Sequence, residues 1–170
     1  MNIGIIGLGD MGCIYAKSFA KAGYRVYGCD LPARREILET ELSPYGIEVL
    51  DDGKAVSRIS DVIIYSVEAE RIAEVLSLYG SYTKYGAIVA GQTSVKHPEI
   101  EAFEKYLPKD AHIITCHSLH GPGFDPKGQK MIVIPHRTTK EAYQRMTDLL
   151  STLGSVLVEI ADFHEHDKIV

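Results

Sequence analysis

The segment that most constrains the fold is Ile3 to Gly12, IGIIGLGDMG, near the start of the chain. An apolar run leads into glycines at G-x-G-x-x-G spacing, and a predicted helix, Ile14 to Ala22, follows. A strand, a tight turn and a helix in this order are typical of a dinucleotide-binding unit, because glycines permit the turn and the close approach of a pyrophosphate. The free N–H groups at the helix start favour phosphate. The residues predicted to contact the cofactor here are Gly7, Leu8, Gly9, Asp10, Met11 and Gly12.

The choice of cofactor depends on the end of the second predicted strand, Tyr24 to Cys29. Asp30 follows this strand, about 20 residues beyond the glycines, where a carboxylate accepts hydrogen bonds from the ribose hydroxyl of NAD. Arg34 and Arg35 lie one helical turn further on. A guanidinium there binds the 2′-phosphate of NADP, although the same arginines also fit the exposed start of a helix. Asp30 therefore favours NAD, Arg34 favours NADP, and the choice stays open.

Composition limits the classes of partner. The 170 residues are 45% hydrophobic and carry a formal net charge of -5, which predicts one globular domain with a sizeable core. Acidic balance and the lack of long basic runs argue against a nucleic acid or a membrane surface and favour a small-molecule ligand. Cys13, Cys29 and Cys116 lack C-x-x-C spacing. They favour a reducing, cytoplasmic location.

Strands and helices alternate along the rest of the chain. After the first two strands, further strands are predicted at Ile47 to Leu50, Asp61 to Val67, Gly86 to Gly91, Ala111 to Cys116, Met131 to Pro135 and Ser155 to Ile160. The helices between them are predicted at Asp51 to Arg58, Glu70 to Leu78, Pro98 to Tyr106 and Thr139 to Leu153. Such alternation predicts an α/β fold of the Rossmann type, a doubly wound and mainly parallel sheet, and it is compatible with either direction for the late strands.

The carboxyl ends of parallel strands meet at one edge of the sheet, where ligands bind in open α/β folds. Ser66, Val67 and Glu68 end the strand Asp61 to Val67, so we expect this backbone to pass close to the cofactor. Glu68 also fits a simple role as a favourable charge at a helix start. Ser94 or Lys96, which follow the next strand, are predicted to face the same edge.

The strand Ala111 to Cys116 ends in the most unusual polar cluster of the chain, His117-Ser-Leu-His120-Gly-Pro-Gly. A metal site is disfavoured because no third ligand lies nearby in the sequence. An imidazole that changes protonation near neutral pH is instead suited to act as an acid or base on a substrate hydroxyl. The alternative is a histidine that only satisfies backbone groups at a strand end.

The organisation predicted from these patterns is a dinucleotide-binding domain over residues 1–161. Residues 162–170 then begin a new helix-like segment, and this start without a partner element suggests that a further piece of the protein follows.

Four motifs together resemble one enzyme family. GLGDMG at 7–12, QTSVK at 92–96, HSLHGP at 117–122 and EHDK at 165–168 occur in the order and spacing of the prephenate dehydrogenase family, most closely its fungal type. The resemblance covers essentially the whole chain but only the N-terminal cofactor domain of the family. The glycine motif is shared with many dehydrogenases, so the combination with the serine, the histidine and EHD carries the resemblance.

The resemblance implies oxidative decarboxylation of prephenate by NAD(P)+ to 4-hydroxyphenylpyruvate, a step of tyrosine biosynthesis, with arogenate as a possible substrate and NADP slightly favoured. His117 matches the histidine that hydrogen-bonds the ring hydroxyl of the substrate, and Ser94 matches the serine that orients this histidine and the nicotinamide. His120 receives no role.

The family also has a C-terminal helical domain that forms the homodimer and supplies an arginine for the substrate carboxylate. The resemblance therefore implies that these 170 residues bind cofactor but turn over poorly alone. Two alternatives remain open: a dehydrogenase of the β-hydroxyacid type, and a regulatory module that binds NAD(P) without chemistry.

Overall fold

A computed structural model describes all residues, 1–170. Its eight strands are β1 (Asn2–Ile6), β2 (Arg25–Cys29), β3 (Glu48–Val49), β4 (Val62–Tyr65), β5 (Ile88–Gly91), β6 (His112–Ser118), β7 (Lys130–Arg137) and β8 (Val156–Glu159). The seven α-helices are α1 (Asp10–Lys21), α2 (Arg35–Leu42), α3 (Gly53–Ile59), α4 (Ile72–Tyr79), α5 (His97–Tyr106), α6 (Lys140–Ser151) and α7 (Phe163–Ile169).

The strands form one sheet in the order β3-β2-β1-β4-β5-β6-β7-β8. Every neighbouring pair is parallel except β6 and β7. This confirms the predicted mainly parallel sheet, and the antiparallel pair involves the late strand β7. The chain winds outward from β1 in one direction and from β4 in the other, so a crevice opens between their carboxyl ends, where such folds bind ligands.

Helices cover both faces of the sheet, as a doubly wound fold requires. One buried cluster packs α1, α2 and α6 on the sheet, and a second packs α3, α4 and α5 on the opposite face. Strand β4 shows why its sequence is uniformly apolar: Val62 and Ile64 enter the first cluster, while Ile63 and Tyr65 enter the second. Strands buried on both faces read as continuous apolar runs rather than as alternating ones.

Several element boundaries differ from the prediction. Helix α1 begins at Asp10 rather than Ile14, so Gly12 lies inside its first turn. Helix α4 begins at Ile72 rather than Glu70, which leaves Glu68 in the preceding turn. Strand β6 continues to Ser118, because pairing with β7 extends it past the predicted end, and this places His117 within the strand. Helix α3 begins at Gly53 rather than Asp51, and the side chain of Asp52 caps it by accepting a hydrogen bond from the N–H of Ala55.

The segment after residue 161 is a helix that packs on the domain. Asp162 caps α7, and His166 in the middle of the helix is completely buried. The helix contacts α5. The domain boundary at residue 161 stays a prediction, but residues 163–169 form part of the packed structure. None of the helices has the length and apolar character needed to cross a membrane.

Candidate functional site

The turn that contains Gly7, Gly9 and Gly12 leaves no room for a side chain at two of these three positions. Gly7 has a φ of 100°, and a Cβ there would collide with the carbonyl oxygen of Ser66. A Cβ on Gly12 would collide with the carbonyl oxygen of Gly7. Gly9 differs, because a Cβ there meets nothing within 4 Å. The outer two glycines therefore close the turn, whereas Gly9 faces open space where a ligand can approach its backbone.

The start of α1 presents unused hydrogen-bond donors to this space. No protein acceptor receives the backbone N–H groups of residues 9–12, and no side chain caps the helix. These N–H groups and the positive end of the helix dipole form a site for an anion. Asp10 is exposed and Met11 half-buried at this end. Leu8 turns inward and is fully buried, so it contributes packing against Gly28 rather than a free donor.

Asp30 and Arg34 form an ion pair beside the glycine turn. The Asp30 carboxylate accepts hydrogen bonds from the N–H of Leu8 at 2.9 Å and of Leu31 at 2.6 Å. Nη1 of Arg34 donates to the same carboxylate at 2.6 Å and to the carbonyl of Leu8 at 3.2 Å. Both oxygens of Asp30 are thus already engaged, and its charge is offset by the guanidinium.

Arg34 and Arg35 are neighbours in sequence, but their side chains lie in different surroundings. Arg34 lines a cleft of about 430 Å³ that runs along the glycine turn. Arg35 pairs with Glu39 at 2.8 Å and with Asp51. The structure thus separates the two candidates: Arg34 alone of the pair faces the cleft. The cleft is lined by Leu8, Gly9, Asp10, Cys13, Ile14, Lys17, Arg34, Glu41, Pro122 and Gly123.

The end of β4 lies directly against the glycine turn. The N–H of Ser66 donates to the carbonyl of Ile6 at 2.8 Å, and Val67 is half-buried beside Gly7. The Ser66 hydroxyl donates to the side-chain oxygen of Gln92 at 3.3 Å. Glu68 is exposed and accepts a turn hydrogen bond through its carbonyl. Contacts of Ser66, Val67 and Glu68 with a cofactor stay a prediction.

Ser94 and Lys96 have opposite environments, although both follow β5. Ser94 is exposed and makes no hydrogen bond within the protein. The side chain of Lys96 reaches the carboxyl ends of β5 and β6, where its Nζ donates to the carbonyls of Gly91 and Cys116, but it is completely buried rather than open to a ligand. The role of Ser94 in orienting His117 stays a prediction.

His117 sits near the carboxyl end of β6 and contacts a second histidine. Its Nδ1 lies 2.9 Å from Nε2 of His166. Nδ1 of His166 lies 2.7 Å from the carboxylate of Asp167. Burial lowers the pKa of His117 to about 4, and the Lys96 ammonium and the His166 ring act in the same direction, against the opposing charge of Asp167. His117 is therefore a neutral imidazole near neutral pH, as a proton acceptor must be.

Lys96 belongs to a buried polar network that sequence reasoning missed. Its Nζ donates to the carbonyl of Cys116 at 2.6 Å and to the carboxylate of Glu99 at 3.1 Å. Glu99 also accepts from the hydroxyls of Thr115 at 2.6 Å and Thr93 at 3.0 Å. Neither Lys96 nor Glu99 has exposed side-chain surface. The sequence feature that could have indicated this network is a lysine and a glutamate three residues apart at a helix start. Such pairs are also common on exposed helices, so the spacing does not predict burial.

The remaining polar candidates, His120 and the three cysteines, do not form a further site with the residues described above. His120 bonds the carbonyl of Gly121 through Nδ1 at 2.9 Å. No group of three or more His, Cys, Asp or Glu side chains is arranged to hold a metal ion. Cys13, Cys29 and Cys116 are free and buried, as the apolar surroundings of the latter two in the sequence predicted.

Comparison with known proteins identifies relatives of the whole chain. It is 51% identical over 168 residues to a probable prephenate dehydrogenase (NADP+) of Schizosaccharomyces pombe, a match that covers 99% of this chain and 39% of the relative. It is 48% identical over 168 residues to a prephenate dehydrogenase (NADP+) of Saccharomyces cerevisiae, over 98% of this chain and 37% of the relative. The chain therefore spans less than two fifths of the length of these curated relatives.

A solved structure shows the same fold. An arogenate dehydrogenase of Synechocystis superposes with a TM-score of 0.86 at 20% identity, over 100% of this chain and 63% of that chain. The predicted resemblance to fungal prephenate dehydrogenases is confirmed by the two fungal relatives. Residues 2–90 match the model of a protein family described as NADP oxidoreductase, coenzyme F420-dependent. Because this match spans more than half of the 170 residues, the chain belongs to that family.

Proposed function

We propose that this chain is the cofactor-binding and base-bearing part of an NADP+-dependent prephenate dehydrogenase. The observation that carries the proposal is a neutral His117 on the same sheet edge as a turn with unused N–H donors. Strands β1, β4, β5 and β6 are parallel, so their carboxyl ends share this edge. The similarity to two fungal enzymes with this name supports the substrate class.

The residues present fit NADP. The open space at Gly9 and the free N–H groups of residues 9–12 suit the diphosphate. Arg34 faces the cleft and would bind the 2′-phosphate, because a guanidinium forms strong charge-assisted hydrogen bonds with phosphate. Asp30 has its oxygens occupied by Leu8, Leu31 and Arg34, which supports NADP over the NAD that a free carboxylate would favour. When bound, NADP+ supplies the hydride acceptor.

His117 would act on the hydroxyl of the substrate ring. As the ring carbon loses hydride, its hydroxyl oxygen becomes carbonyl-like and its proton acidic, so a neutral imidazole that takes this proton lowers the barrier. Cleavage of the bond to the ring carboxylate then releases CO2 and aromatises the ring. The electron pair of that bond ends on the ring oxygen, which recovers the proton from His117. The products are 4-hydroxyphenylpyruvate, CO2 and NADPH, so atoms and charge balance.

The chain alone is expected to turn over poorly. Prephenate carries two carboxylates, and Lys127, Lys130 and Arg137 do not form a clamp for them. Arg137 pairs with Ile113 at the start of β6, at the other end of that strand from His117. Arg137 donates to the carbonyls of Pro108 and Ala111 and to Glu104, while Lys127 and Lys130 are exposed. A homodimer that completes the substrate site, and a cytoplasmic location consistent with free buried thiols, belong to the same proposal.

The test is prephenate-dependent reduction of NADP+, followed by the absorbance of NADPH. We would compare residues 1–170 alone with a fusion of these residues to the remaining part of the S. pombe relative. The expected result is NADP+ binding by both proteins and efficient turnover by the fusion alone, lost when His117 is changed to Asn. Arogenate serves as the alternative substrate. Binding without turnover in the fusion would support a regulatory module instead, and efficient turnover by the chain alone would refute the need for a further part.

A further inference from the structure

We propose that His166 and Asp167 of α7 are positioning residues that hold His117 in the one tautomer able to accept a proton at Nε2. The proposal rests on the proposed role of His117. It is carried by a chain of three side chains, in which Asp167 contacts His166 at 2.7 Å and His166 contacts His117 at 2.9 Å. His166, at the centre, has no exposed surface.

The far end of this chain is anchored firmly. Oδ1 of Asp167 accepts the N–H of Lys96 at 2.8 Å, and Oδ2 accepts the N–H of His97 at 2.9 Å. These donors belong to the start of α5, so Asp167 both caps one helix and fixes a second one against it. Burial raises the pKa of Asp167, but the hydrogen bonds from Lys96, His166 and His97 outweigh it and leave the pKa below its ordinary value. Asp167 is therefore a carboxylate that can only accept hydrogen bonds.

The carboxylate determines the proton positions along the chain. Because Asp167 only accepts, Nδ1 of His166 must carry the hydrogen between them. We take His166 to carry only this hydrogen, so that its Nε2 has a lone pair to which Nδ1 of His117 donates. His117 is left with an unprotonated Nε2, the atom that would take the substrate proton. Free histidine in water favours the opposite tautomer, so the contact with His166 selects the reactive one.

The same chain would stabilise the imidazolium formed during the reaction. Protonation of Nε2 places a positive charge on His117, whose Nδ1–H already points at the lone pair of His166. Asp167 lies beyond as a fixed negative charge. The charged or titratable groups near His117 are Lys96 and Glu99 of α5 and His166 and Asp167 of α7. Burial, and next the charge of Lys96, lower the pKa of His117 and keep the resting ring neutral, while Asp167 offsets part of that effect.

This geometry divides the roles of two candidate orienting groups. Ser94 makes no hydrogen bond to His117, and the Nδ1 position of that ring is taken by His166. An orienting contact from Ser94 would therefore have to involve another atom of the His117 ring than Nδ1. Helix α7 thereby becomes part of the catalytic apparatus rather than a connecting segment.

The test uses ¹⁵N NMR of the imidazole rings in the 170-residue chain, which reports the tautomer directly and needs no turnover. His166→Gln places an amide oxygen near the position of Nε2 and keeps an acceptor for His117. His166→Asn keeps a donor to Asp167 but withdraws that acceptor, so the two amides form a matched pair. We expect the Nδ1–H tautomer at His117 in the native chain and in the Gln variant, and predominantly the Nε2–H tautomer in the Asn variant. Asp167→Asn should weaken the preference.

Three results would overturn the proposal: an Nε2–H tautomer in the native chain, an unchanged tautomer in the Asn variant, or equal behaviour of the two amides. The native spectrum decides even where a variant fails to fold. In the fusion described above, His166→Asn should lower kcat by about tenfold or more with the KM for NADP+ unchanged, and His166→Gln should recover most of it. If the fusion has no turnover at all, the proposed function fails while the tautomer result still stands.

Discussion

Replacing Lys96 by Met tests how much the buried ion pair of Lys96 and Glu99 contributes to the free energy of unfolding. Methionine nearly matches the shape of the lysine stem, so the change removes mainly the ammonium and its hydrogen bonds to Cys116, Gly91, Thr115 and Glu99. Glu99 is then left as a completely buried carboxylate without a countercharge. Removing one partner of a buried ion pair costs about 3 to 5 kcal/mol, mostly because the other charge stays buried.

The assay is urea unfolding of the chain, followed by circular dichroism. With an m-value of about 2 kcal/mol per molar urea, a loss of about 4 kcal/mol moves the midpoint down by about 2 M. The double variant Lys96→Met with Glu99→Gln removes the unpaired charge and should recover about half of the loss. Lys105→Met, on the exposed side of the same helix, is the control and should change stability by less than about 0.5 kcal/mol. A loss below about 1 kcal/mol for Lys96→Met, or a double variant less stable than the single one, would refute this reasoning.

Three further predictions follow from the site. Arg34→Gln should weaken NADP+ binding by about tenfold to a hundredfold and leave NAD+ binding nearly unchanged, measured by calorimetry, whereas Arg35→Gln should change neither. Gly9→Ala should keep the free energy of unfolding within about 0.5 kcal/mol of the native value but abolish NADP+ binding. Gly7→Ala should lower the free energy of unfolding by about 2 kcal/mol or more. The lowered pKa of His117, about 4, means that the unfolded chain takes up a proton before the folded one, so stability should fall by about 2 kcal/mol as pH drops from about 6.5 to 4. Chemical unfolding across that range should show a shallower slope in His117→Gln; equal slopes would contradict the assignment.

Local patterns predicted the parts of the fold that local physics decides. The glycine spacing requires only a strand, a turn and a helix, and Gly7 has the positive φ that the predicted tight turn needs. Strand β4 could be predicted from its sequence because a strand covered on both faces is apolar throughout. Boundaries were less accurate, since β6 is lengthened to Ser118 by pairing with β7, and the sequence does not encode that pairing locally.

The candidate site was predicted only in part, because its decisive contacts are distant in sequence. His117 was singled out as a polar residue at a strand end, but its partner His166 lies 49 residues away. Likewise, Lys96 was expected at the open edge, and only the tertiary fold reveals the buried carboxylate and carbonyls that surround it. Asp30 matched the position for a ribose, yet its pairing with Arg34 changes which cofactor the position favours.

The central claim is that the turn at residues 7–12 binds NADP+ and brings the nicotinamide to His117. Titrating the ¹⁵N-labelled chain with NADP+ tests it most directly, because amide and imidazole signals report each contact separately. We expect saturable shifts of the Gly9 to Gly12 amides together with the His117 ring, at lower concentrations of NADP+ than of NAD+. An absence of saturable binding, or shifts that leave both the glycine turn and His117 unchanged, would contradict it.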